Sequence, residues 1–502
     1  MAQSPAAIVD EISIALGNIT NAAANSVTPT MRLGVTGLSR AGKTIFITAL
    51  IHNLLTNGKL SGFSPLAEGR FIGAQLNEHP DRGMPRFAYE QHLAALTGKD
   101  PHWPLSTRNI SQIRITLKFQ SARWLAGIAG PSTLNLDIVD YPGEWLLDLP
   151  LLSLNFAQWS DQALKRAERS KIREAKAYTK ALGNLSRDSE ANEAVAEQLA
   201  ASFTAYLRAS RGDAPQKADK DKKGKTVPTV PARAMSALPP GRFLLPGDLE
   251  GSPALTFAPL PETTKNTRND SLYAMMARRY EAYKSLVVRP FFRDHFARLD
   301  RQIVLVDALR ALNAGPEALF DLEDALSNVL TCFRQGANNP LTWILARKID
   351  KILFAATKAD HVHHTSHDRL EQVLNRLVSE AARRARFSGA ETKSIALASV
   401  RATTEGTIKE QGETLDCLIG TPVAGETLDG KTYDGKTEIA LFPGDLPQNP
   451  DSVFQPGFKA GSLSFLRFRP PLDLDRTAEG DVRLPHIRLD KALDFLLKDW
   501  MK

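Results

Sequence analysis

Residues 37–44 read Gly-Leu-Ser-Arg-Ala-Gly-Lys-Thr and fit the spacing Gly-x-x-x-x-Gly-Lys-Ser/Thr at every fixed position. A buried strand is predicted before them and an apolar helix after them. This context favours a phosphate-binding loop, because backbone N–H groups and the helix N-terminus converge on one anion. We expect Lys43 to reach the β- and γ-phosphates of a nucleotide and the Thr44 hydroxyl to bind Mg²⁺. The loop residues expected to contact the nucleotide are Gly37, Ser39, Arg40, Ala41, Gly42, Lys43, Thr44 and Ile45.

A second candidate segment, Asp140-Tyr-Pro-Gly-Glu144, follows another predicted apolar strand. A carboxylate in that place holds Mg²⁺ in P-loop enzymes, and we assign this role to Asp140. Gly143 would let its backbone N–H approach the γ-phosphate, because no side chain stands in the way. Asp-x-x-Gly alone is a common turn, but its place after a P-loop favours the functional interpretation.

The third segment, Thr357-Lys-Ala-Asp360, also ends a predicted strand. A carboxylate accepts two hydrogen bonds from the N1–H and N2 amino group of guanine, whereas adenine offers no such pair of donors. Asp360 is therefore the predicted guanine selector, with the stem of Lys358 along the purine face. Ser399 and Val400, after a later strand, are expected to offer N–H groups to the guanine O6. An ATPase stays open as an alternative if Asp360 does not face the base.

Around these segments, strands alternate with helices, which predicts an α/β fold with a parallel sheet and helices on both faces. Ligands of such sheets bind beyond the carboxyl ends of the strands, where all three segments fall. Strands are predicted over 33–36, 111–119, 134–139, 303–306, 351–356 and 394–398, and helices over 45–55, 315–346 and 366–385, with a polar passage over 56–109.

The composition indicates a soluble intracellular protein. The chain has 502 residues, 43% of them hydrophobic, and a formal net charge of +7, which does not demand a nucleic-acid partner. Cys332 and Cys417 are too few for a disulfide framework or a zinc site and favour a reducing compartment. Asp10 and Glu11 interrupt the first apolar stretch and oppose a signal peptide, and no run is long and apolar enough to span a bilayer.

The three motifs, in this order, resemble those of a translation-factor-class P-loop GTPase. The fuller set, Gly-Leu-Ser-Arg-Ala-Gly-Lys-Thr, Asp-Tyr-Pro-Gly-Glu and Thr-Lys-Ala-Asp-His, resembles the YcjX family of bacterial GTP-binding proteins, which is linked to the envelope-stress (phage shock) response. The resemblance covers nearly the whole chain. It implies a P-loop NTPase of the Ras-like G-domain type with an inserted helical domain, binding of GTP and GDP, and a conformational switch.

The expected organisation combines this resemblance with changes in composition along the chain. It comprises an N-terminal amphipathic helix (1–29), the first part of the G domain (30–150), a helical insertion (151–300) with a mobile basic and Pro-rich loop (211–262), the second part of the G domain (301–408), and a C-terminal β-rich lobe with a terminal helix (409–502). Within the loop, residues 242–247 form an apolar island that is expected to dock on the body.

Small GTPases commonly carry, directly after Asp-x-x-Gly, a Gln that orients the attacking water. This chain has Glu144, which is our candidate for that role, so slow hydrolysis is expected. The switch threonine that meets Mg²⁺ and the γ-phosphate is expected before the second strand, with Thr107 as first choice and Ser106 as second. Trp103 is assigned either to stacking on the nucleotide or to ordinary packing. Arg40, Arg108 and Arg242 are candidates for a cis arginine finger, and Arg108 is also placed among the nucleotide contacts.

Four histidines follow the third segment: His361, His363, His364 and His367. Imidazole is a common transition-metal ligand, so a metal site is one interpretation. Because the cluster directly follows the guanine-selecting segment at a predicted helix start, we favour nucleotide contact, assigned to His361, or helix capping.

The expected function is a GTP-binding switch with Mg²⁺-dependent GTPase activity. Lys43, Glu144 and Thr107 are the candidate catalytic residues, and Thr44, Thr107 and Asp140 the candidate Mg²⁺ ligands. The alternative is a nucleotide-regulated scaffold that hydrolyses GTP negligibly and acts through its helical insertion and tail. A protein partner at the insertion and peripheral contact of a cytoplasmic protein with the inner membrane are both left open, and no nucleic-acid partner is expected.

Overall fold

A computed structural model describes the following residues: 28–37, 41–78, 81, 83–105, 109–122, 130–170, 172–183, 185, 189–211, 239–262, 268–331, 349–410, 413–428, 430–455, 457–458, 463–476 and 480–502. The chain divides into two compact units. The first contains the described parts of 1–142, 297–319 and 333–502, and the second those of 143–296 and 320–332. The expected N-terminal helix falls almost wholly outside the described residues.

The first unit is built on a seven-stranded sheet in the order β2-β3-β4-β1-β5-β6-β7. Strands β4, β1, β5, β6 and β7 are parallel, whereas β3 runs antiparallel to β4 and β2 antiparallel to β3. The strands are β1 Thr30–Gly37, β2 Phe71–Leu76, β3 Ser111–Phe119, β4 Ser132–Asp140, β5 Arg301–Val306, β6 Lys351–Ala356 and β7 Glu391–Ala396. The parallel-dominated α/β sheet expected from the sequence is confirmed.

The α-helices in the part of the chain that the structure describes are α1 Lys43–Leu55, α2 Ser64–Ala67, α3 Tyr89–Thr97, α4 Phe156–Arg169, α5 Arg173–Gly183, α6 Glu193–Arg211, α7 Leu272–Tyr283, α8 Arg289–Asp294, α9 Ala308–Ala314, α10 Pro316–Thr331, α11 His367–Leu377, α12 Ser379–Phe387 and α13 Leu489–Leu497. None of the described helices combines the length and apolar composition needed to cross a bilayer. The helix expected over 366–385 is divided into α11 and α12.

The core of the first unit lies around the middle of the sheet. All six residues of β5 are buried, as expected for a strand covered on both faces. Helix α1 buries ten of its thirteen residues, so it is enclosed rather than merely amphipathic. Helix α13 adds apolar residues of the C-terminal tail to the same core, among them Leu493, Leu496 and Leu497.

Shorter strands complete the first unit. Strands β8 Thr404–Glu410, β9 Glu413–Gly420 and β12 Ile439–Leu441 form a three-stranded antiparallel sheet, and β10 Thr427–Leu428 pairs with β11 Lys431–Thr432. The boundary predicted at 408/409 falls inside β8, and the described residues after it belong to the same compact unit as the large sheet. The separate C-terminal lobe stays a prediction.

The second unit has an aromatic core, in which Trp159 stacks on Tyr280 with ring centroids 5.0 Å apart. A long 3₁₀ helix, Gly143–Ser153, begins the unit. Its Asp148 accepts hydrogen bonds from the Gly241 N–H at 2.6 Å, the Arg242 N–H at 3.2 Å and the Tyr283 hydroxyl at 2.6 Å. Gly241 and Arg242, which lie in the loop expected to be mobile, are therefore held by Asp148, whereas 212–238 lie outside the described residues.

Candidate nucleotide-binding site

The carboxyl ends of the central strands meet at one edge of the sheet. In the parallel registers, Val35 of β1 lies opposite Asp140 of β4, and Gly37 lies opposite Leu305 of β5. On the other side, Val306 of β5 lies opposite Ala356 of β6, directly before the Thr-Lys-Ala-Asp segment. The three segments singled out in the sequence therefore leave the sheet at the same edge, which is where α/β sheets bind ligands.

The described part of the phosphate-binding loop has the backbone geometry that its glycines permit. A Cβ added at Gly37 would lie 2.9 Å from the carbonyl oxygen of Leu305, so the loop needs a glycine for its close approach to β5. Gly42 has a left-handed backbone, with φ of 86°, directly before α1. Lys43 Nζ donates to the Gly37 carbonyl oxygen at 3.1 Å, which folds the ammonium group back over the loop. Ser39 and Arg40 lie outside the described residues.

Thr44 and Asp140 offer the oxygen ligands that Mg²⁺ requires. Thr44 is the second residue of α1 and 6% exposed, and Asp140 is the last residue of β4 and 1% exposed. A hydroxyl and a carboxylate suit a hard cation that keeps most of its waters. Tyr141 follows Asp140 in the chain, and its hydroxyl accepts a hydrogen bond from Gln302 Nε2 at 2.6 Å. Burial raises the pKa of Tyr141, so the phenol stays neutral.

Lys358 is held by an aspartate at the end of the neighbouring strand. Its backbone is left-handed, with φ of 62°, and its Nζ pairs with the Asp307 carboxylate. Asp307 also caps α9, since its side chain accepts a hydrogen bond from the Arg310 N–H at 3.2 Å. The Thr357 N–H donates to the Val306 carbonyl at 2.9 Å and continues the β5–β6 ladder into this loop. The orientation of the Lys358 side chain is thus fixed by Asp307.

Asp360 is 4% exposed and is held by the loop that follows β7. Its Oδ2 accepts a hydrogen bond from the Ala402 N–H at 2.9 Å, and its main-chain oxygen accepts one from the Thr403 hydroxyl at 2.5 Å. A carboxylate has about four lone-pair sites, so the bond from Ala402 leaves capacity for two guanine donors. Val400 is buried and Ser399 half-buried in the same loop.

Trp103 and His361 both contact Phe468. The Trp103 indole N–H donates to the Phe468 carbonyl at 2.7 Å, and the His361 ring meets the Phe468 ring edge-on at 5.5 Å between centroids. Trp103 also packs on the hydrophobic core of the first unit, as the packing interpretation requires, and its stacking on a nucleotide stays a prediction. Burial lowers the pKa of His361, so the imidazole is neutral at physiological pH.

The histidine cluster separates into different roles. His367 Nε2 donates to the Ala359 carbonyl at 2.9 Å, which ties the start of α11 to the segment 357–360, and burial lowers the pKa of His367. Among the described residues, His363 and His364 instead lie close to Glu405. The four histidines thus do not form one metal-binding group in the described part of the chain.

For several predicted site residues, the structure describes no contact with the carboxyl ends of the central strands. Ser106, Thr107 and Arg108 lie outside the described residues, and Gly143 and Glu144 begin the second unit. Their assigned roles stay predictions. The Arg242 guanidinium lies 3.3 Å from the centre of the Trp145 ring and pairs with Asp248 at 2.8 Å, so this candidate arginine finger is engaged within the second unit.

Comparison with known proteins decides the family. The profile of the YcjX-like family, DUF463, matches residues 31–501. The chain belongs to the YcjX-like family. Two curated relatives are both named "Ras-like GTPase YcjX". The protein from Escherichia coli (strain K12) is 37% identical over 487 residues, covering 94% of this chain and 96% of the relative. The protein from Shewanella oneidensis (strain MR-1) is 34% identical over 492 residues, covering 93% and 94%.

This YcjX-like chain also contains positioning residues that the sequence reasoning missed. Asp307 directly follows the apolar run of β5, just as Asp140 directly follows the apolar residues Ile138 and Val139 of β4. This similarity was the available sequence signal. Ala402 and Thr403 follow Ser399 and Val400 closely in the chain, but no local pattern indicates that they hold Asp360. Their role becomes apparent only from the three-dimensional contacts.

Proposed function

We propose that this YcjX-like protein is a GTP-binding switch with slow, Mg²⁺-dependent GTPase activity. The observation that carries the proposal is the buried Asp360 carboxylate, held by the Ala402 N–H at the same sheet edge as the phosphate-binding loop. The printed name of the two curated relatives, "Ras-like GTPase", supports the same activity.

In this proposal, each residue has one physical task. Lys43 neutralises charge that develops on the phosphates, and the Thr44 hydroxyl and Asp140 hold Mg²⁺, which supplies further charge neutralisation when bound. Asp360 discriminates against adenine, because ATP would leave its buried carboxylate without the two donors that guanine supplies. Thr107 and Gly143 contact the γ-phosphate, and Glu144 orients the attacking water.

A cytoplasmic location, a role in the bacterial envelope-stress response, peripheral contact with the inner membrane and a protein partner at the helical insertion belong to the same proposal. The envelope-stress role rests on the family resemblance, whereas the other three rest on composition and sequence pattern; no described contact carries any of them.

One observation favours the second candidate, a scaffold with negligible hydrolysis. Glu144 is 4% exposed, and its main-chain oxygen is packed so closely on Gly241 that an added Cβ there would lie 1.8 Å away. A buried glutamate in place of the usual glutamine is a poor water-positioning group. A GTPase and a scaffold differ in single-turnover hydrolysis, because the scaffold would bind GTP without releasing phosphate.

The test is a titration with fluorescent GTP, in competition with ATP, followed by phosphate release under single-turnover conditions. Lys43→Ala should weaken GTP binding at least tenfold, whereas the matched control Lys59→Ala should not, because the Lys59 side chain is 76% exposed. Equal competition by ATP, or unchanged binding by Lys43→Ala, would contradict nucleotide recognition at this edge. Chelation of Mg²⁺ should lower the affinity.

A further inference from the structure

Two histidines and a glutamate lie together beside the guanine-selecting segment. His363 and His364 come three and four residues after Asp360, and Glu405 lies on β8. One potential ligand atom from each lies within 4.8 Å of the others. His364 Nδ1 is 2.8 Å from Glu405 Oε2, and His363 Nε2 is 3.7 Å from the same oxygen.

A second carboxylate orients the His363 ring. His363 Nδ1 is 3.3 Å from Asp416 Oδ2 on β9 and 3.0 Å from the Thr365 hydroxyl. In the tautomer that carries the proton on Nδ1, His363 presents the Nε2 lone pair toward Glu405. Either a proton or a metal ion can then lie between Nε2 and the carboxylate. A carboxylate on the far nitrogen of an imidazole is also the arrangement that orients histidines for metal binding.

The distances suit a tetrahedral ion. With metal–nitrogen and metal–oxygen bonds of about 2.0–2.1 Å, neighbouring ligand atoms of tetrahedral zinc lie about 3.3 Å apart. The separations of His364 Nδ1 and His363 Nε2 from Glu405 Oε2, 2.8 and 3.7 Å, fall on either side of this value. The His364 side chain is 63% exposed, which gives an ion and a water molecule access to the cluster.

We propose that His363, His364 and Glu405 form a Zn²⁺ site, with solvent as the fourth ligand and Asp416 positioning His363. Two imidazoles and one carboxylate make a borderline-soft set that favours zinc over the Mg²⁺ expected at the phosphates. Among the described residues, Arg401 competes with a metal ion for Glu405, because its Nη2 lies 3.7 Å from the other carboxylate oxygen.

The site would join the two segments that hold the guanine selector. The histidines follow Asp360, whereas Glu405 follows Thr403, which donates its hydroxyl hydrogen to the Asp360 carbonyl. Zinc would therefore fix one segment to the other and restrict the motion of Asp360. We expect the bound ion to raise the melting temperature of the protein.

The experiment titrates metal into the full chain, without an affinity tag and without nucleotide, so its outcome is independent of the proposed GTPase activity. Zn²⁺ binding is followed by calorimetry, and Co²⁺ serves as a spectroscopic probe of tetrahedral coordination. Wild type should bind one equivalent. His364→Ala and Glu405→Gln should each weaken binding at least tenfold, and Asp416→Asn should weaken it by about tenfold or more.

The matched control is His102→Ala, which replaces an exposed histidine outside the cluster and should bind zinc like wild type. Circular dichroism of the metal-free variants shows whether they are folded. Because the His364 side chain is exposed, His364→Ala should disturb folding least. The proposal is overturned if wild type binds no zinc, or if binding survives both His364→Ala and Glu405→Gln.

Discussion

Replacing Asp307 by Asn should weaken guanine nucleotide binding although Asp307 is not expected to touch the nucleotide. Asp307 is 3% exposed, and its carboxylate pairs with Lys358, whose side chain is 34% exposed. The left-handed backbone of Lys358 costs about 1–2 kcal/mol for an L-residue, so this conformation persists only where its surroundings hold it. Asn can still cap α9, because Asn and Asp are comparable N-caps, so the change removes the charge and spares the cap.

The energy lost when the Asp307–Lys358 pair is broken can be estimated from how deeply the pair is buried. Breaking a fully buried pair by removing one partner costs about 3–5 kcal/mol, and breaking an exposed pair costs about 0–1 kcal/mol. We therefore expect about 1–2 kcal/mol for this pair, in which the aspartate is buried and the lysine is partly exposed. If that energy is lost from the binding-competent loop, guanine nucleotide affinity falls about 5- to 30-fold.

The assay is a double-mutant cycle with Lys358→Met, which keeps the aliphatic stem, measured by fluorescent GDP titration. The coupling energy should be about 1–2 kcal/mol, so the double variant should bind little worse than the weaker single variant. Asp161→Asn serves as the control, because Asp161 pairs with Lys165 on an exposed helix surface. Strictly additive effects, or wild-type affinity in Asp307→Asn, would refute the positioning role.

Two further predictions concern the second unit. Burial raises the pKa of Asp148 to about 6 from an ordinary 3.8, so the folded protein holds a proton that the unfolded chain releases between these values. The contribution of Asp148 to the free energy of unfolding should therefore fall by about 3 kcal/mol as pH rises from 3.8 to 6 and then level off. Melting temperatures measured across this pH range should show the contribution in wild type and not in Asp148→Asn. If the two proteins had the same dependence of melting temperature on pH, the prediction would be wrong. Gly241→Ala should destabilise the unit by about 3 kcal/mol or more, because its Cβ would lie 1.8 Å from the Glu144 oxygen. Gly183→Ala, where an added Cβ meets nothing within 4 Å, should melt like wild type.

Much of the sheet could be predicted because its central strands are continuous apolar runs that end in chemically distinctive residues. The predicted strands over 111–119 and 351–356 coincide with β3 and β6, and the predicted strand over 134–139 lies inside β4. Helix α1 starts at Lys43, within the phosphate-binding segment 37–44 and two residues before its predicted start at 45.

The two outermost strands of the sheet, β2 and β7, were harder to predict. Strand β2 fell inside the passage read as polar, because as an edge strand it is mostly half-buried or exposed and its sequence shows no clear alternation. The strand predicted over 394–398 instead spans Glu391–Ala396, since the polar start of β7 is exposed and carries no apolar signal.

The candidate site was predictable where one short segment carries the chemistry, as in residues 37–44. It was not predictable where positioning depends on pairs far apart in the chain. Lys358 pairs with Asp307, 51 residues away, and Asp360 is held by Ala402, 42 residues away. Such pairs follow from the order of strands in the sheet, which local periodicity does not specify.

The central claim is that Asp360 reads the N1–H and N2 amino group of guanine. Its most direct test is a nucleotide titration of wild type and Asp360→Asn with GTP, ATP and xanthosine triphosphate. Wild type should prefer GTP, and the variant should bind GTP at least tenfold more weakly while gaining affinity for the xanthine nucleotide, whose C2 carbonyl accepts a hydrogen bond where the N2 amino group of guanine donates one. If Asp360→Asn bound GTP as tightly as wild type, with no gain for the xanthine nucleotide, the claim would be contradicted.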